Sequence, residues 1–339
     1  MMAIVSPTLL RTTAAVIGAD NPLARLVADR LAEGSIAVRR VDVPDPPDLV
    51  QDTLDGVQTV VVIGRTGGAD LDGTGGSELD LPRARRLIDG AAHAGVQSLV
   101  VLSGAMVYGA RDDNAVPLTE DALIRPEPTL QYAVELAELE RLTSEFRSDG
   151  ARTVAVLRPA VVLGPSSTEW LRRSAWGGRH LPPEETTPPR QFVHVDDLVD
   201  AIQFACAHPL DGTFNVAPDG WIAGDTFREL AGGSFPPLPG RLRSLVAPLR
   251  GALFGSQLPR GLDAYTRSAW VVANDRLRAT GWVPTHTCEE VFVEADHARG
   301  WRALSPRTRQ ELSLAGAAAV VVAAVASIIA LVRRRRVKT

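Results

Sequence analysis

The chain has 339 residues, 36 basic and 40 acidic side chains, and a formal charge of −4. Setting aside the five basic residues of the extreme C-terminus, residues 1–311 carry 31 basic against 40 acidic side chains, which excludes a nucleic-acid surface. Two separated cysteines (Cys206, Cys288) and six scattered histidines form no disulfide framework and no metal-ligand spacing, and the one lysine, Lys338, excludes lysine chemistry from the body.

The first residues, MMAIVSPTLLRTT, show no basic n-region and no cleavage pattern, so no signal peptide is expected and the body is expected to stay in the cytoplasm. Thr13–Ile17 reads as a buried strand, followed by a helix over Pro22–Glu33 that Gly34 ends. Strands are predicted over Ile36–Val43 and Thr59–Ile63. The glycine-rich stretch Gly64–Gly76 is a loop, and lacks the Gly-Lys-Ser/Thr of a phosphate loop. A helix over Leu81–Ala94 leads to the strand Ser98–Leu102, and a helix over about Leu130–Ser148 to the strand Thr153–Leu157. Apolar strands separated by helices predict an α/β fold, a doubly wound parallel sheet covered on both faces.

After Pro165 the pattern breaks into proline- and glycine-rich pieces such as LPPEETTPPR, with shorter elements around Val193–Ala207, Thr213–Val216 and Val271–Ala279. These predict a smaller C-terminal lobe at the carboxyl edge of the sheet, where such folds bind ligands. The basic amphipathic stretch Arg241–Phe254 is expected to close that lobe. The resulting division is 1–165, then 166–311 interleaved with it, then a span at 312–332 and a basic tail at 333–339.

Leu312–Val332 carries no charge, and Ser313 and Ser327 are its polar side chains. At helical rise it covers ~31 Å, the thickness of a bilayer's hydrocarbon core. Arg333–Arg336 follow it and four arginines (Arg299, Arg302, Arg307, Arg309) precede it, so basic residues alone do not orient it. A single-pass anchor in the cell membrane is expected.

Two features suggest a dinucleotide site. The first strand runs into Gly18, Asn21 and Ala24, a G-x-x-G-x-x-G spacing in which one glycine has become an asparagine able to take a left-handed turn and another an alanine that still permits close helix packing. Asp42 ends the second strand, where a carboxylate can accept hydrogen bonds from an adenine ribose and repels a 2′-phosphate, favouring NAD over NADP.

Further along, LVVLSGAMVYG (Leu99–Gly109), PLTED (Pro117–Asp121), Tyr132-Ala-Val-Glu-Leu136, VLRPAVVLGP (Val156–Pro165), FVHVDDLVDAI (Phe192–Ile202), GTFNVA (Gly212–Ala217) and LRATGWVP (Leu277–Pro284) occur in that order. Together they resemble the NAD-dependent epimerase/dehydratase family of extended short-chain dehydrogenases over residues 13–295. The resemblance implies a Rossmann domain binding NAD, a substrate lobe for a nucleotide sugar or a lipid-linked relative, and the homodimer as an oligomeric form to consider. It places Gly18, Asn21, Ala24 and Asp42 at the cofactor, with Arg158 and Pro159 of the Arg-Pro motif beside them, although that motif is mainly structural in the family. It places Tyr132 at the catalytic tyrosine.

The same resemblance exposes departures. The family's catalytic lysine falls on Leu136 and its supporting serine or threonine on Gly104; Ser103 is one position off and is expected on the opposite face of the strand. Asp80 stands where an asparagine usually begins the fourth helix, and the third strand is missing because DPPDLVQDTL follows Asp42 so closely. A tyrosine base needs its phenol pKa of ~10 lowered by several units, which an ammonium promotes and a leucine does not. His194-Val-Asp196-Asp197 is triad-like only in composition and is expected to be structural. Three readings follow: a catalytically atypical NAD-binding sensor or scaffold, an enzyme using Tyr132 with altered assistance, and a cofactor-free protein of the same fold.

Overall fold

The computed structural model describes residues 13–18, 21–34, 36–43, 48–63, 81–147, 151–164, 187–208, 210–230 and 261–297. The segment 312–332, the tail with Lys338, Asp80, Gly64–Gly76 and Arg241–Phe254 lie outside the described residues. Among the described residues no helix is long and apolar enough to cross a membrane.

Six parallel strands form the main sheet: β1 (Thr13–Ile17), β2 (Ala37–Val41), β3 (Thr59–Ile63), β4 (Ser98–Leu102), β5 (Thr153–Pro159) and, after two short strands, β8 (Gly212–Val216). Their order is β2-β1-β3-β4-β5-β8. The chain therefore turns back on itself between β1 and β3, the switch point at which such sheets open a ligand crevice. Among the described residues the sheet stops at β2, consistent with the close spacing after Asp42. Short strands β6 (Val161–Leu163) and β7 (Phe192–His194) pair separately.

Alternation along the strands builds two hydrophobic layers. Val16, Val61, Val100, Ala155 and Leu157 face one side, packing with α1 (Pro22–Glu33) and α5 (Val195–Ala207). Ala15, Ile17, Val60, Val62, Leu99, Val101, Val154 and Val156 face the other, packing with α2 (Asp48–Thr53), α3 (Leu81–His93) and α4 (Gln131–Phe146). Both faces are covered, so these strands read as unbroken apolar runs.

Elements from beyond residue 165 return to the main sheet. Helix α5 packs on the first-half layer, and β8 pairs with β5 from Ala155↔Gly212 to Pro159↔Val216. A short strand distant in sequence gives no hint of which sheet it joins, because pairing is set by packing across the whole chain. Strand β5 extends two residues beyond its predicted end; Pro159, lacking an N–H, occupies its last position. The remaining described helices are α6 (Gly224–Leu230), α7 (Ala264–Arg267), α8 (Asp275–Ala279) and α9 (Cys288–His297).

Candidate functional site

The turn after β1 has the backbone that a dinucleotide turn requires. Gly18 has φ +107°, a conformation that favours glycine, and its N–H donates to the Val41 carbonyl at 3.3 Å. That bond ties the end of β2 to the turn, so exposed Asp42, the next residue, stands at the same edge of the sheet. Ala24 is fully buried, 3.7 Å from the position of a Cβ built on Gly18, so helix α1 approaches closely. A left-handed glycine, a small helix residue and a strand-end carboxylate at the switch point fit an adenine dinucleotide.

Asn21 departs from the expectation. Its backbone is extended (φ −76°, ψ 127°) and not left-handed, because it serves as the N-cap of α1. Its Oδ1 accepts from the Leu23 N–H at 2.9 Å and the Ala24 N–H at 3.4 Å. An asparagine at a helix start gains more from satisfying orphan amides than from a strained turn.

Tyr132, half-buried in the first turn of α4, packs against the cluster formed by Met106, Ala110, Leu130, Ala133, Leu262 and Tyr265. Tyr265 donates to the Met106 carbonyl at 2.7 Å, joining α7 to this cluster. Leu136 lies one turn beyond Tyr132 on the same helix face and is buried. Gly104, two residues past the end of β4, meets it directly: a Cβ built on Gly104 would sit 3.2 Å from Leu136 Cδ1. The backbone of Gly104 is extended (φ −168°), so its conformation does not demand glycine. What restricts the position is the leucine opposite. The two residues that the resemblance sets at the proton-transfer positions are thus brought together in space, as an apolar contact.

Beneath that contact runs a buried polar chain that the sequence reading did not assemble. Ser103 turns to α4 and donates to the Glu140 carboxylate. Arg158 grips the same carboxylate with two bonds, Nε to Oε1 at 2.9 Å and Nη2 to Oε2 at 2.6 Å, and donates from Nη1 to the Tyr108 hydroxyl at 2.7 Å. Tyr108 donates onward to Asn215 Oδ1 at 2.8 Å, and the Asn215 N–H donates to Glu120 at 2.9 Å. Ser103, Tyr108, Glu140, Arg158 and Asn215 are all buried.

Burial works against the Arg158 charge, but the bonds and field of Glu140 outweigh it and raise its pKa. Burial pushes the Tyr108 phenol up, against the opposing pull of Arg158. The Arg158 guanidinium is therefore engaged by Glu140 and Tyr108, and Pro159 closes β5 beside β8; both residues knit β4, α4, β5 and β8 together. The signal for this chain was present as Glu140, a charged residue four positions after Leu136 on a largely apolar helix face.

Arg190 is the other buried cation that sequence reasoning passed over. It donates to the carbonyls of Tyr265, at 2.9 Å, and Thr266, and lies over the Phe227 ring. Burial pulls its pKa down to about 10, and no carboxylate among the described residues pairs with it. Through Tyr265 it adjoins the cluster that holds Tyr132.

His194 and Asp197 do structural work, as expected. His194 caps α5, its Nδ1 accepting from the Asp196 N–H at 3.2 Å. Asp197 accepts from the Thr285 and His286 N–H groups at 3.0 and 3.1 Å. Burial pushes both the Cys206 and Cys288 thiols up to about 12, so neither is a nucleophile near neutral pH. Among the described residues no His, Cys, Asp and Glu cluster is placed to hold a metal ion.

Comparison with known proteins agrees with this geometry. Residues 5–217 match the model of the NAD dependent epimerase/dehydratase family. Uncharacterized proteins of Mycobacterium bovis and Mycobacterium tuberculosis are 28% identical over 229 residues, 66% of this chain. The chain spans 60% of the length of those curated relatives.

Among solved structures, the Thermus thermophilus UDP-glucose 4-epimerase complex with NAD is 20% identical with a TM-score of 0.58, covering 85% of this chain and 99% of that one. The dTDP-glucose 4,6-dehydratase DesIV of Streptomyces venezuelae, with NAD and TYD bound, is 16% identical with a TM-score of 0.58, covering 84% and 95%. At such identities the structures establish the Rossmann-like fold, and the match over more than half the sequence establishes kinship. The chain belongs to the NAD dependent epimerase/dehydratase family.

Proposed function

We propose that this protein is a membrane-anchored, NAD-binding member of its family that senses or scaffolds, having exchanged the proton-transfer pair for an apolar contact. The observation that carries this reading is the meeting of Gly104 with Leu136, 3.2 Å from a built Cβ to Cδ1. Bound NAD supplies a hydride acceptor. Gly18, Ala24 and Asp42 would hold it at the switch-point edge of the sheet. Tyr132 would contribute a phenol, with no ammonium one turn away to lower its pKa. Arg158 does not stand in for that ammonium, because its guanidinium already balances Glu140.

Nucleotide sugars are the ligand class named for the structural neighbours, and the same class is proposed here. NAD is favoured over NADP by Asp42. The membrane link rests on the composition of residues 312–332, and the expected topology leaves the body on the cytoplasmic face. A homodimer belongs to the same proposal and is read by sedimentation of the full chain.

Titration calorimetry of the full-length chain in detergent tests the cofactor half. Heat and a thermal shift with both NAD and NADH are expected. No heat and no shift with either would leave a cofactor-free protein of the same fold. Protease accessibility on sealed vesicles reads the topology; a body protected from protease on the cytoplasmic side would contradict it.

A further inference from the structure

The cofactor turn carries an internal competitor for its own ligand. In this architecture the dinucleotide pyrophosphate is held by main-chain N–H groups at the first helix's N-terminus. Among the described residues of α1's first turn, no such N–H is left unbonded. Pro22, first in α1, has no N–H, and the Leu23 and Ala24 N–H groups both donate to Asn21 Oδ1, at 2.9 and 3.4 Å. The Arg25 N–H donates to the Asn21 carbonyl at 3.0 Å. A carboxamide oxygen thus accepts from the N–H groups that a pyrophosphate would need at α1.

We infer that Asn21 is a latch on the cofactor site: NAD must displace its side chain from α1 to seat its pyrophosphate. This inference rests on the reading that the chain binds NAD, and deepens it. The exchange replaces one set of hydrogen bonds with another, so the net gain on binding is small. The result is a weak, readily exchanged dinucleotide whose occupancy follows its free concentration. That behaviour suits a sensor and differs from a cofactor retained through many turnovers.

Two substitutions separate a latch from a merely structural cap. Asn21→Gly removes the competing oxygen at little cost to the helix, since glycine is itself an acceptable N-cap. Asn21→Asp keeps the cap but places a negative charge against the pyrophosphate. The measurement is calorimetric titration of the full-length wild type and both variants with NAD, and separately with adenosine, which lacks the pyrophosphate.

The expected result is NAD affinity about tenfold tighter in Asn21→Gly and about tenfold weaker in Asn21→Asp, with adenosine affinity unchanged in both. Wild-type binding of NAD that Asn21→Gly leaves equal or weaker overturns the latch alone. Equal changes for adenosine and NAD also overturn it, because the effect would then not be on the pyrophosphate. Absence of NAD binding in all three proteins overturns the cofactor reading itself, and the latch with it.

Discussion

Installing serine at Gly104 and lysine at Leu136 together is expected to raise hydride transfer from a nucleotide sugar to NAD by about 10²–10⁴-fold, the range a positioned acid–base group supplies. Neither substitution alone is expected to do so. Gly104→Ser alone drives its Cβ to 3.2 Å from Leu136 Cδ1, and such overpacking costs about 1–3 kcal/mol. Leu136→Lys alone adds the ammonium without the hydroxyl that shares the proton. In the double variant an unbranched side chain replaces the leucine's branched end, relieving the contact while supplying charge beside Tyr132. Stopped-flow reduction of NAD in the four proteins reads the effect. A double variant no faster than the wild type, with cofactor binding intact, would show that the Gly104–Leu136 contact is not what limits the chemistry.

The second large effect is on stability. Glu140→Gln is expected to cost about 3–5 kcal/mol, because it leaves the Arg158 guanidinium buried without its counter-charge. Tyr108→Phe removes a neutral link of the same chain and is expected to cost only about 1–3 kcal/mol. Denaturant unfolding measures both. A Glu140→Gln cost below about 1 kcal/mol would mean that Arg158 finds another partner and the pair does not hold the sheet to α4. The contrast matters for function, since Leu136 and Glu140 are one turn apart on α4. On the proposed reading the helix keeps the residue that anchors it, while Leu136 fills the position the resemblance gives to the family's lysine.

The sequence made much of this visible where local pattern decides structure. The strands Thr13–Ile17, Thr59–Ile63 and Ser98–Leu102 lie where the apolar runs put them, because each is buried on both faces. Motif positions singled out Gly104 and Leu136 separately, and their contact is seen only in the structure. Longer-range features were not visible. Nothing in GTFNV announces that it pairs with β5, whereas Asn21 ahead of Pro22 carried an N-cap signal that the reading of it as a turn residue passed over. The Glu140–Arg158 pair joins residues 18 apart in the chain, and its value depends on burial that composition does not report. Arg190 was hidden for the same reason, since a buried arginine with no carboxylate partner among the described residues looks like a surface one until the fold surrounds it.

The central claim is that this chain binds a dinucleotide at a family fold while lacking the groups that turn it over. Its most direct test is a single-turnover experiment on the full-length protein loaded with NAD. UDP-glucose and dTDP-glucose are added in turn and the nicotinamide is followed spectroscopically, in the wild type and in Tyr132→Phe. The account predicts that the nicotinamide stays oxidised in both proteins. Reduction in the wild type that Tyr132→Phe abolishes would contradict it and identify a working enzyme.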